Sequence, residues 1–153
     1  MQCVHCGSLM QLMPDERFTV NSKIIGNVTL EHIEMLSCDC SNDHWLLTPI
    51  GSSAVEDQLR SLEAQKISLL PVSEFITSFE AADILGITRS QMAVLLRTRS
   101  CLFITHKVGA LHLIYRESVF EYKYHGDGRV LIPTKELLLN CITKQFETKR
   151  FES

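Results

Sequence analysis

Four cysteines constrain this chain more than any other feature. They stand as Cys3-Val4-His5-Cys6 and Cys38-Asp39-Cys40, two close pairs about thirty residues apart. A metal such as zinc takes four thiolate or imidazole ligands at the corners of a tetrahedron, and a tight turn carrying two cysteines presents both sulfurs from one loop. Gly7, directly after Cys6, supplies the backbone freedom that such a turn needs. The second pair is one residue shorter than the usual spacing, which keeps His44 and His5 open as substitutes for Cys40 as fourth ligand. The competing reading is four reduced thiols lining a small core. Four protein ligands leave no coordination position for water or substrate, so the expected Zn2+ is structural.

Length and charge frame what surrounds the cysteines. A chain of 153 residues is long enough for one core or for two small units. Its net charge of −3 is unevenly spread: residues 1–70 hold 4 basic and 9 acidic side chains, residues 71–153 hold 11 and 9. The halves are therefore expected to do different jobs. No secretory leader is read ahead of Cys3, so the six cysteines point to a reducing cytoplasm rather than to disulfides. No apolar run reaches the length of a membrane span, and no repeat is present.

Between the cysteine pairs, residues 17–30 alternate β-branched or aromatic residues with polar ones and break at Asn21-Ser22 and Gly26-Asn27, a pattern of antiparallel strands. Ile33 to Ser37 reads as a further strand leading to Cys38, and Trp45 to Leu47 as one leaving it. A sheet this small buries little apolar surface, and metal binding then supplies folding free energy. From Ser52 to Ile67, Ala54, Val55, Leu59, Leu62 and Ile67 recur at helical spacing among charged residues. This helix ends before Pro71, and Ser68 to Ser73 is the natural linker.

The second informative stretch runs from Thr77 to Arg97. Thr77 with Glu80, and Thr88 with Gln91, each spell a capping box, so two helix starts stand eleven residues apart. Gly86 falls where the first helix must stop and turn. Ala81, Ala82, Ile84, Leu85, Ile87, Met92 and Leu95 supply the faces to be buried between the helices. The pattern is a helix-turn-helix, with an ordinary helical hairpin as the bland alternative. Phe103 to Val108 and Leu111 to Arg116 follow as short strands joined at Gly109, then Glu117 to Tyr122 as a short helix. A hairpin in that place is a wing.

From Phe79 to Tyr122 the sequence resembles the excisionase and MerR-like winged-helix family, although Ala110 and Leu111 stand where relatives often carry arginines. The order of a Cys-x-x-Cys knuckle, strands, a second cysteine pair, a connecting helix and a helix-turn-helix resembles the zinc-binding MqsA-type (YgiT-type) antitoxins and related regulators over residues 1 to about 97. These resemblances imply a structural zinc, a first unit able to bind a toxin or other protein, and autoregulatory binding of double-stranded DNA by the second. The expected fold is α+β: a zinc-ribbon-like β unit over residues 1–50, a connecting helix and linker over 51–72, and a winged helix-turn-helix over 73–153.

Charge favours that use. Residues 86–129 carry seven basic side chains against three acidic ones, which suits a phosphate-tracking face. Thr88, Arg89, Ser90 and Gln91 open the second helix, where Arg can read guanine and Gln adenine. Arg97, Arg99, Lys107 and Arg116 complete the expected DNA-contacting set. Metal ligands are expected at Cys3, Cys6, Cys38 and Cys40. Catalysis is not expected: Cys101 and Cys141 lack the neighbours of an activated nucleophile, Asp127 is a turn residue, and no phosphate-binding glycine loop is present. Pro133 opens a further helix through Phe146, the candidate surface for a homodimer. The function expected is a sequence-specific repressor, antitoxin-like or from a phage or mobile element. The alternative is an interaction module that neutralises a partner protein with little DNA binding.

Overall fold

A computed structural model describes residues 1–40 and 44–133; the expected helix after Pro133 lies outside them. Among the described residues the chain is α+β, with four helices and two three-stranded antiparallel sheets. The first sheet is a long hairpin, β1 (Gln11–Ser22) and β2 (Gly26–Ser37), edged by β3 (Trp45–Leu47) in the order β1-β2-β3. Helix α1 (Pro49–Ser68) follows, then β4 (Phe75–Ile76), α2 (Ser78–Leu85), α3 (Arg89–Arg99), β5 (Thr105–Val108), β6 (Leu111–Tyr115) and α4 (Arg116–His125). The second sheet runs β4-β6-β5.

The stretch 33–37, expected as a separate strand, is instead the continuation of β2. The ladder with β1 is interrupted by register shifts between Met13 and Glu16 and between Glu16 and Phe18, and His32 takes φ 58°. That left-handed residue is invisible to an alternation pattern, which sees a break where the strand bends and carries on. The bend has a measurable result. Phe18 pairs with Leu30 and Trp45 with Ser37, positions about 23 Å apart along a straight strand. The two rings nonetheless meet edge to face with centroids 5.2 Å apart.

Helix α1 starts three residues earlier than its apolar spacing suggests, because its start is set by a cap. The Thr48 hydroxyl accepts from the Gly51 amide at 3.0 Å and donates to Glu34 Oε1 at 2.6 Å, with Pro49 at the first helical position. One buried residue thus ends a loop, begins a helix and ties it to β2. Gly51 is obligatory on steric grounds, since a Cβ there would run into the Glu34 carbonyl.

The main core lies in the second half, yet the first hairpin contributes to it. Ile24, at the hairpin tip, is buried with Leu70, Phe75, Ile104, Leu113, Tyr115 and Ile132. Ser22, also buried, accepts from the Ile24 and Ile25 amides and donates to Glu63 of α1 at 2.6 Å, so one hydroxyl satisfies two turn amides and ties the turn to the helix. On the far side the Ile132 amide donates to the Ile24 carbonyl at 2.8 Å. Asp127 accepts from Lys23 at 2.6 Å and from Arg129 at 2.9 and 2.7 Å. The second cluster, Ile76, Ala81, Ala82, Met92, Phe103, Ile114 and Val119, holds α2, α3 and α4 on the second sheet.

Gly51→Ala should lower stability by about 1–3 kcal/mol, as overpacking against backbone does, seen as an earlier urea midpoint. The Arg129 and Lys23 hydrogen bonds hold the Asp127 carboxyl well below the ordinary carboxylate range. A lowered folded value means this contribution is complete above about pH 4 and fades as pH falls below it. Asp127→Asn should accordingly be less stable than the parent at pH 7, with the gap in denaturation midpoint narrowing steadily below pH 4.

Candidate functional site

The first knuckle is a small hairpin bridged at Gln2 and Leu9. Within it the Cys3 amide donates to the Ser8 carbonyl and the Gly7 amide to the Cys3 carbonyl, with Gly7 at φ 73°. This folds Cys3 and Cys6 onto one side. The second knuckle leaves β2 and returns to β3, closed where the Cys38 amide donates to the His44 carbonyl at 3.1 Å. Asp39 accepts from the Gln11 side chain, tying that loop to β1.

These loops bring the Sγ atoms of Cys3, Cys6, Cys38 and Cys40 within 4.8 Å of one another. The Cys6–Cys38 and Cys3–Cys40 separations are 3.4 and 3.8 Å. A tetrahedron with metal–sulfur bonds of about 2.3 Å has edges of about 3.8 Å, so the four thiols have the size of a metal cage. They could hold a metal ion. His44, kept open by the sequence as a fourth ligand, places Nδ1 3.0 Å from the Cys40 sulfur and stacks on His5 at a ring distance of 3.8 Å. The imidazole thus borders the cluster as a hydrogen-bond partner of Cys40.

The thiols do not share one electrostatic fate. Cys3 is lowered from the ordinary thiol value, first by the His5 amide and then by the Cys6 amide. Cys6 is lowered to about 6, chiefly by the Ser8 hydroxyl and amide. At Cys38 the Cys40 amide favours the thiolate but is outweighed by Cys6, Cys3 and burial, and the net shift is upward. Cys40 is raised, chiefly by Cys38. Four neighbouring sulfurs cannot all ionise unaided, and a divalent cation at their centre reverses the penalty.

The second candidate surface is the start of α3. Both capping boxes form: Glu80 receives the Thr77 amide at 2.8 Å, and Gln91 Oε1 receives the Thr88 amide at 2.8 Å. Gly86 takes φ 70° and caps α2. The buried contact of α2 with α3 uses Ala81, Ala82 and Met92, small or flexible side chains that let two short helices approach closely. Thr88, Arg89, Ser90 and Gln91 are exposed on the first turn of α3. Arg97 and Arg99 are exposed in its last turn, about 12–15 Å further along. Lys107 is exposed on β5, and Arg116 opens α4.

Some details escape sequence reasoning. The Arg89 guanidinium lies 4.4 Å over the Phe79 ring, which holds it at the mouth of the α2–α3 turn. Gln91 spends its carbonyl on the cap and keeps only its amide hydrogens for a partner. Lys123, counted among the local cations, donates to the Ile84 carbonyl at 2.7 Å and closes the end of α2, while Arg129 is held by Asp127. Two of the seven basic groups therefore serve the fold.

Protein made in reducing medium with added Zn2+ or Co2+ should carry about one ion per chain. Cys6→Ser or Cys38→Ser should lose it and unfold the knuckles, whereas His44→Ala should retain it; metal analysis and the cobalt–thiolate absorption check both. Loss of the ion from His44→Ala with retention in Cys40→Ser would move the fourth ligand to the histidine. Neither a family model, nor a curated protein, nor a solved structure matches this chain, so its function is argued from the geometry alone.

Proposed function

We propose that the chain is a sequence-specific DNA-binding regulator whose second half is a winged helix-turn-helix and whose cysteine cluster holds a structural zinc. One observation carries the reading. Two capped helices meet across a left-handed glycine, bury small residues against each other, and leave the first turn of the second helix exposed with Thr88, Arg89, Ser90 and Gln91. A recognition helix presents base-reading side chains from that turn. Arg89 is the base reader in this arrangement, steadied by Phe79. Thr88 serves the cap and a phosphate, and Ser90 with the Gln91 amide supplies adaptable donors. Arg97, Arg99, Lys107 and Arg116 act as phosphate contacts, the hairpin β5–β6 being the wing. Zinc suits four thiolates at tetrahedral spacing, and such a site suits a reducing compartment such as the cytoplasm.

A second reading has its own observation. Leu12, Leu36 and Leu46 are direct cross-strand partners on one face of the first sheet, and Leu12 and Leu46 are 55% and 43% exposed. An apolar row of this kind on an acidic unit is a surface for a protein partner, the toxin-binding role of an antitoxin included.

The DNA reading predicts a short duplex, retrieved by selection from genomic fragments, that binds with a steep loss of affinity as salt rises. Arg89→Ala should cost roughly 1–3 kcal/mol and relax sequence preference, while Arg97→Ala or Lys107→Ala should weaken all sequences about equally. If selection yields no preferred sequence and Arg89→Ala is silent, while Leu12→Asp abolishes capture of a partner encoded beside this chain, the interaction reading replaces it.

A further inference from the structure

Where the hairpin tip leans on the second half, the surface opens into a groove of about 680 Å³. Its walls come from four separate parts of the chain: residues 21–24 of the hairpin, the Leu59–Ile67 side of α1, Cys101 with residues 103–107, and Arg129. The volume falls within the range of small-molecule sites. The floor is apolar, formed by Ile24, Ile67 and Phe103, of which Ile24 and Phe103 are buried core residues.

The rim is cationic. Lys23, Arg60, Lys107 and Arg129 line the groove against a single carboxylate, Glu63. Glu63 is engaged by Ser22, and Asp127 sits behind Lys23 and Arg129, so among the described residues four cations face two carboxylates and two positive charges stay uncompensated. Arg60 meets Asp57 only at 3.9 Å, with both side chains more than two-thirds exposed, an arrangement too screened to neutralise it. Lys107 has no ion-pair partner among the described residues. Cations held above an apolar floor match one ligand chemistry: an organic anion with an apolar body and a carboxylate, sulfonate or phosphate head. The apolar part displaces water from the floor, and the head pairs with Arg60 and Lys107 from opposite walls.

We propose that this groove binds an amphipathic organic anion, with Lys107 shared between the anion's head and the proposed phosphate contacts. Because α1 and β5 supply the opposing cations, the bound anion bridges the connecting helix to the strand of the proposed wing. The test uses anilinonaphthalene sulfonate as the anionic probe and neutral N-phenylnaphthylamine as its uncharged counterpart, followed by fluorescence titration of the full chain with zinc supplied. The sulfonate should saturate at one per chain, bind more tightly than the neutral probe, and weaken as salt rises. Arg60→Gln and Lys107→Gln, both exposed and free of core contacts, should each weaken it roughly threefold to tenfold. Ala64→Trp, which fills the groove from the exposed side of α1, should remove the saturable signal. Circular dichroism identical to that of the parent establishes that these variants are folded. Equal binding of the two probes, or sulfonate binding unchanged in Ala64→Trp and in the Arg60→Gln, Lys107→Gln double variant, overturns the proposal. Since the readout is probe fluorescence without DNA, its failure is separable from failure of the DNA reading.

Discussion

The convergence of four cysteine sulfurs within 4.8 Å of one another is the constraint that ties the amino-terminal hairpin to the end of β2. Backbone amides and the Ser8 hydroxyl stabilise negative charge on Cys3 and Cys6, and the same clustering forces Cys38 and Cys40 the other way. A divalent cation held there would join the short amino-terminal hairpin, the end of β2 and the start of β3 into one unit. The sheet they border buries Leu30 and Ile33 almost completely and leaves Leu12 and Leu46 exposed, so apolar burial supports its middle.

The other end of the same hairpin is held by ordinary packing. Ile24 enters the main core, Ser22 satisfies the turn and links it to α1, and Lys23 reaches Asp127 from 104 residues away in sequence. The two ends of the hairpin therefore sit in different surroundings, the cysteine cluster at one and the apolar core at the other. Its bend at His32 reconciles the two attachments while letting Phe18 and Trp45 meet. The cationic groove is a by-product of this docking, because its walls exist only where the hairpin tip, α1 and β5 converge.

The second half rests on local rules that agree with the packing. Helices of eight and eleven residues are marginal in isolation. Both are started by a reciprocal side-chain cap, the first is ended by a left-handed glycine, and they are pressed together through alanines and Met92. The first turn of α3 is consequently capped and exposed at once.

Much of this was legible from residue order. The four cysteines, both capping boxes, Gly86 as a helix stop and the strand pair around Gly109 are local signals. Each depends on spacings of two to four residues that the backbone turns into fixed geometry. The α+β class and the candidate metal ligands follow from such signals, since a turn carrying two cysteines presents both wherever it is placed. Other features depend on residues far apart in sequence. The continuity of β2 through His32, the start of α1 at Thr48, the placing of His44 beside Cys40 and the use of Lys123 and Arg129 as fold-holding groups were decided by tertiary packing. So was the groove, whose cations are scattered from residue 23 to residue 129. A sequence states which side chains are charged, whereas only the packed chain decides which charges find internal partners and which are left facing solvent.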